Sequence, residues 1–250
     1  MDVSRIWEVA RVNQPRLGSL VKALRKMDLH MRVSQLPEEL RLPEVVIFQL
    51  IQLAVQLRDE QWARMATLAW HFLFRVQSEC LPLQHGSPTE AVAGVPQDRH
   101  SSVYQDDSGR LVVRLRARKN RPQGSILMRE CSCRAAGGDK RLCAVHCCDW
   151  GCHEPGEPVL LLTSGQAKGR LRRYASLLGV QGAAKLTLKT FRASRATALA
   201  KAGKPVHEIL DAGEWKSAAF LKYASPDSLD AGALLARSVQ ESEPDSSDND

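Results

Sequence analysis

Aromatic residues are scarce in this sequence, only 5% of 250 residues. A core must therefore come mainly from aliphatic side chains packed between helices. No apolar run is long enough to cross a bilayer, which argues against a membrane partner. The opening residues, MDVSRIWEVARVNQPR, lack the charged start, apolar centre and small-residue cleavage site of a secretory signal. These absences together predict an intracellular protein, nuclear if its source is a eukaryote, with its thiols kept reduced. Seven cysteines, an odd number, also argue against a complete disulfide framework.

Hydrophobic residues make up 44% of the chain, enough for a packed core. The net charge of +7 suits an anionic partner such as nucleic acid. That charge understates the asymmetry, because the last ten residues, ESEPDSSDND, are acidic and too polar to bury. The chain divides into a basic N-terminal arm over residues 1–43, a main body over 44–240, and the acidic tail over 241–250. A segment rich in Cys, His and Gly interrupts the body at 130–157.

In the arm, Val21, Leu24 and Leu29 line one apolar side of a short helix. Pro43 suits the first turn of the next helix, in which Val45, Val46, Phe48, Leu50, Ile51 and Val55 are dense enough to be buried. A second helix is expected over 61–79, with Leu68, Phe72 and Val76 at helical spacing. LPLQHGSPTEAVAGVPQDRH then reads as loop. Three strands follow at 102–105, 111–116 and 125–129; Asp106-Asp107-Ser108-Gly109 supplies a hairpin turn between the first two. Helices resume at 165–178, 189–202 and after Pro205 to Gly213, and two more are expected at 217–224 and 227–239. The predicted class is α+β: mainly α with a small antiparallel β-sheet.

Three segments carry a chemical signal: LAWHFLFRVQSECLPL (68–83), RLVVRLRARKNRPQGSILMR (110–129) and TLKTFRASRATALAKAGKPVHEILDAGEWKSAAFLKYA (187–224). The first sets Arg75 at the end of an apolar helix with Glu79 four residues on. The second puts Lys119 on a basic hairpin. The third sets Arg192 early in a helix, Trp215 after a glycine-bounded turn, and Tyr223 on the next helix. Singly, each has a bland reading as surface charge, solubilising lysine or core packing.

In this order the segments resemble the catalytic domain of tyrosine recombinases and phage-type integrases over roughly residues 44–240. The likeness is greatest to divergent eukaryotic forms, including those of Crypton-like mobile elements, in which a Cys-rich segment follows the basic hairpin. Residue by residue, Arg75 in RVQSE matches the first catalytic arginine, with one residue more than the family's R-x-S-E. Lys119 matches the hairpin lysine. KTFR from Lys189 to Arg192 matches H-x-x-R, with lysine where histidine is usual. Trp215 holds the family's His-or-Trp position and Tyr223 that of the nucleophile. Trp215 stands 23 residues after Arg192, the usual family spacing, and Tyr223 eight after Trp215, one short of the commonest.

The resemblance implies breakage and rejoining of double-stranded DNA by four assembled protomers. Arginine forks stay charged and grip phosphate oxygens in pairs, so Arg75 and Arg192 would stabilise the transition state. Tyr223 would attack phosphorus, giving a 3′-phosphotyrosine and a free 5′-hydroxyl, with Lys119 protonating the leaving oxygen. Lys189, if neutral, or a water would take the tyrosine proton, and the Trp215 indole would donate to a phosphate oxygen. This chemistry requires no metal or other cofactor. Such recombinases usually carry a helical clamp domain before the catalytic one, and the 43 residues ahead of the match are too few for it. Two other readings stay open: a DNA-binding domain that has lost catalysis, derived from a mobile element, and a zinc-stabilised interaction module.

Cys131, Cys133, Cys143 and His146 read C-x-C-x9-C-x2-H, one full ligand set for a structural zinc. Gly137 and Gly138 would let the loop close around the ion. Cys147, Cys148, Cys152 and His153 crowd behind and could substitute or form a second set; the alternative is a reduced, exposed Cys-rich loop. Cys80 stands apart and is expected in the core.

Overall fold

The computed structural model describes residues 41–87, 100–116, 118, 123–133 and 138–215. The expected helices in the arm and at 217–224 and 227–239, the acidic tail, and the residues Lys119 and Tyr223 lie outside these.

Helix α1 (Glu44–Gln56) begins at Pro43, which occupies the cap position, and buries Ile47, Leu50, Ile51 and Ala54. These recur at i, i+3, i+4 and i+7, one stripe of a helix. Helix α2 (Glu60–Phe72) is the central rod of the body. Trp62, Met65, Ala66, Leu68, Ala69, Trp70 and Phe72 are all fully buried along it, so it is covered nearly all round. Its start is fixed by Asp59, whose carboxylate accepts from the Trp62 N–H at 3.3 Å, a standard first-turn cap. The same carboxylate accepts from the Tyr174 hydroxyl and from Arg170 at 2.6 Å, so the cap also ties α2 to the later helix α3 (Ser164–Leu177). Trp62 packs edge-on against Tyr174 with centroids 5.0 Å apart and donates its indole N–H to the Ala167 carbonyl at 3.0 Å. Helix α3 starts with a reciprocal capping box between Thr163 and Gln166. Helix α4 (Lys189–Lys201) lies against α2 and α1, and α5 (Val206–Gly213) against α4.

The expected second helix stops short. Leu73 is left-handed (φ 52°) and ends α2. A helix would turn successive residues about 100° apart, yet Phe72, Leu73, Phe74 and Val76 are all buried. Leaving the helix at Leu73 allows this, and Phe72 and Phe74 then stack with centroids 5.1 Å apart. Arg75 therefore sits beyond the helix, at the mouth of one wide helical turn, Val76–Cys80. An N–H bond from Leu81 to the Val76 carbonyl, 2.9 Å, closes that turn five residues apart.

The sheet has four strands in the order β1 (Gln84–His85), β2 (Ser102–Gln105), β3 (Leu111–Leu115) and β4 (Ser125–Arg129). The three expected strands form as antiparallel hairpins, with Leu111 opposite Arg129 and Leu115 opposite Ser125 in the second. Gly124 (φ +83°) is indispensable to that hairpin, because a Cβ there would lie 2.3 Å from the Leu115 carbonyl oxygen. The sheet is nevertheless mixed rather than antiparallel. β1 pairs parallel with β2, Gln84 to Ser102 and His85 to Val103, inside the stretch whose turn-forming residues read as loop. Two residues are too few to show any strand periodicity, and the pairing is set by the sheet edge they meet. No helix among the described residues is long and apolar enough to cross a membrane.

Candidate functional site

The ends of α2 and α5, the wide turn, β3 and the first turns of α4 converge on one buried carboxylate, Glu79. Its side chain is 3% exposed. It accepts from the Arg75 backbone N–H at 2.9 Å and from the Arg75 guanidinium at 2.6 Å. Arg118, just past β3, grips it with a two-pronged fork, Nε to Oε1 at 3.0 Å and Nη2 to Oε2 at 2.7 Å. Four bonds fill the roughly four lone-pair sites of a carboxylate. Arg192 adds its charge at 3.7 Å. Burial on its own raises the Glu79 pKa, but the Arg118 fork, the Arg75 N–H and the Arg192 charge outweigh it and hold the carboxyl below its ordinary range. Arg118 spends its remaining prong on Glu214 at 2.6 Å. Burial alone would lower its pKa, and the two carboxylates raise it instead.

Arg192 is fixed by the two helix stops. Its Nη1 donates to the Leu73 carbonyl and its Nη2 to the Gly213 carbonyl, both at 2.7 Å. Each acceptor lies at a left-handed stop: Leu73 itself at the end of α2, and Glu214 (φ 48°) directly after Gly213 at the end of α5. The Arg192 guanidinium lies over the Trp215 ring, 4.3 Å from its centroid, a cation–π contact. That ring in turn lies on Gly213, where any Cβ would fall 1.9 Å from it. Gly213, Trp215 and Arg192 thus form a stack in which only glycine fits at the base.

Three arginines and two glutamates leave this centre with an excess of one positive charge. The Arg118 and Arg192 side chains are 2% and 3% exposed, whereas Arg75 is 33% exposed. Arg75 is therefore the arginine that an incoming anion would meet first. The structure brings Arg75 and Arg192 to the same carboxylate, with Trp215 against Arg192. Lys189 lies on the first turn of α4, three residues before Arg192, and is exposed. Arg118 and Glu214, which complete the cluster, were not singled out in the sequence, although each adjoins a residue that was, Lys119 and Trp215. The run RLRARK gives no sign that Arg118 is buried while Arg116 is exposed, and only the carboxylate it faces would have revealed it.

The second set of chemical groups is the Cys/His insert. The ligand atoms of Cys131, Cys133, Cys143 and His146 all lie within 4.8 Å of one another. His146 Nδ1 is 3.2 Å from Cys133 Sγ and 3.7 Å from Cys131 Sγ. Tetrahedral zinc with S and N ligands puts such atoms roughly 3.6 Å apart, so the donor set fits the ion. A short helical turn, Lys140–Leu142, anchors the far side of the loop by burying Leu142, followed by buried Cys143, Ala144 and Val145. Burial raises the Cys143 pKa, but the Ser132 N–H at 3.3 Å and the nearby His146 and Val145 outweigh it and bring the thiol down to about 6. Burial and the neighbouring sulfurs of Cys131 and Cys143 push Cys133 up to about 12. Cys80 is fully buried, its thiol 3.7 Å from the Met65 carbonyl, a core residue as expected.

No known family model and no curated protein matches the chain.

Proposed function

We propose that the chain breaks and rejoins double-stranded DNA as a tyrosine recombinase. The observation that carries this proposal is the convergence of Arg75 and Arg192, 117 residues apart in sequence, on one buried carboxylate beside Trp215. Arg75 supplies the exposed donor fork for a phosphate oxygen, and Arg192 supplies fixed positive charge behind it. Tyr223 Oη bonds to phosphorus as the bond from phosphorus to the 5′-oxygen breaks. Lys119, next to buried Arg118, gives that oxygen its proton. The phenol proton passes to Lys189 or to water. Recombination by this route assembles four protomers on DNA. A zinc held by Cys131, Cys133, Cys143 and His146 is structural in this scheme and fastens the insert.

One observation favours the alternative, a DNA-binding domain that has lost catalysis. Arg192 directs both Nη groups at main-chain carbonyls and is nearly inaccessible. The two readings separate on covalent trapping. With supercoiled plasmid and nicked suicide duplexes, the wild-type protein is expected to give an SDS-stable DNA adduct, and Tyr223→Phe none. Salt-sensitive DNA binding with no adduct from either protein would select the binding domain instead.

A further inference from the structure

Outside the first cysteine cluster, a second group of metal-ligating side chains meets where the insert touches the sheet edge. His85 on β1, Cys148 and His153 place their ligand atoms within 4.8 Å of one another. His85 belongs to no Cys/His motif in the sequence; the fold brings it there. Its side chain is 2% exposed, and neither ring nitrogen has a hydrogen-bond partner. A buried imidazole with both nitrogens unsatisfied is costly unless something takes a lone pair.

The backbone holds His85 firmly against the insert. Its N–H donates to the Glu157 carbonyl at 2.8 Å, and its carbonyl accepts from the Gly156 N–H at 2.7 Å. The Trp150 ring closes one side, 5.8 Å from the His85 ring, and is fixed by its own N–H bond to the Val145 carbonyl. The His85 and His153 rings lie face to face with centroids 4.0 Å apart. His153 Nε2 is 3.8 Å from Cys148 Sγ, near the edge length of a zinc tetrahedron, while its Nδ1 is 3.3 Å from the Glu157 carboxylate. A carboxylate on the far nitrogen fixes the tautomer that leaves Nε2 free to ligate, the usual arrangement behind metal-bound histidines.

We propose that His85, Cys148 and His153 form a second zinc site, with solvent at the fourth position. One thiolate and two imidazoles are a donor set that suits Zn²⁺. This ion differs in purpose from one at Cys131, Cys133, Cys143 and His146. The first site closes the insert on itself, whereas the second pins the insert to β1, five residues after the turn that carries Glu79 and Cys80.

The test is metal stoichiometry on the full chain, stripped with chelator under reducing conditions and reloaded with zinc alone. Two equivalents are expected by elemental analysis. Cys131→Ser with Cys133→Ser should remove one and leave the other. His85→Gln and Cys148→Ser should each remove one while the first cluster stays loaded. His153→Gln, at a half-buried position that folding tolerates better, should do the same. Cobalt in the second site should show weaker sulfur charge-transfer absorption than cobalt in the first, since one thiolate replaces three. A single equivalent in the wild type that is lost with Cys131 and Cys133 overturns the proposal. So do two equivalents retained by both His153→Gln and Cys148→Ser. Failure of the first cluster alone would leave the equivalent at His85 intact, so the two sites stand or fall separately.

Discussion

The arginine–glutamate centre and the Cys/His insert concentrate polar groups in opposite ways. The centre draws Arg75, Glu79, Arg118, Arg192 and Glu214 from distant parts of the chain, and its charges answer one another inside the fold. The insert draws its first four ligands from residues 131–146, and they face one another with lone pairs rather than with opposite charge. A region that carries its own counterions is complete once the chain has folded. A region of converging lone pairs offers a seat to an ion from outside. The first should therefore be sensitive to the loss of one member, and the second to the loss of metal.

The largest effect expected from this contrast comes from Glu79→Ala. It takes from buried Arg118 the carboxylate its fork grips, leaving it Glu214 alone, and removes the negative charge nearest Arg192; breaking a buried pair from one side costs about 3–5 kcal/mol. Urea unfolding should show that loss with metal stoichiometry unchanged. If zinc were lost as well, the two regions would not be independent. Next, chelation or Cys143→Ser should cost about 3 kcal/mol when free zinc stands a hundredfold above its dissociation constant. Thermal melting with and without chelator reads this directly. A shift of the same size in the presence of excess chelator would place the role of Cys143 in packing rather than in metal binding.

A third effect is set by pH and belongs to neither region. His71 sits beneath the insert, its Nε2 2.7 Å from the Leu142 carbonyl. Burial lowers its pKa to about 4; the Leu142 bond opposes this, and the charges of Arg195 and Arg129 add to it. The folded pKa lies below the unfolded value of 6.5, so at intermediate pH the unfolded chain binds the proton first. The stability held above pH 6.5 is then lost as pH falls toward 4, by roughly 2–3 kcal/mol. His71→Gln should flatten that part of a stability–pH profile measured against wild type, and an unchanged slope would exonerate His71. The smallest effect should come from Arg170→Ala. The Arg170 side chain in its pair with Asp59 is 36% exposed, and pairs open to solvent contribute about 0–1 kcal/mol. A loss as large as that of Glu79→Ala would erase the distinction between buried and exposed arginines.

How much of this was legible in the sequence follows from range. The strands at 102–105 and 125–129 and the helices beginning near Pro43, Ser164, Lys189 and Pro205 carry their own signals: period, caps, and turn residues such as Gly109. The C-x-C-x9-C-x2-H set was legible because its ligands are near neighbours in the chain. The stop at Leu73 was not, since leucine gives no sign of a left-handed conformation and only the burial of Phe72 through Phe74 calls for it. Nor was β1, whose two residues take their strand form from β2. In the arginine centre, Arg75, Arg192 and Trp215 were found through family-like spacing. Glu79 was visible only as a neighbour of Arg75, and Arg118 and Glu214 acquire meaning from a carboxylate and a guanidinium 96 residues apart. His85 was hidden for the same reason: its partners lie more than sixty residues downstream.

The bond between Arg118 and Glu214 also has a mechanical side. Glu214 is both the residue that stops α5 and the residue that holds the end of β3 through Arg118. A displacement at the end of β3 would pull on the end of α5, and the Gly213 carbonyl there would carry the pull to Arg192. The end of β3 and the end of α5 are thus geared to each other through the Arg118 guanidinium, and Arg192 is joined to them through the Gly213 carbonyl. A load on Arg118 would reach Arg192 through Glu214 and Gly213, which are neighbours in the chain.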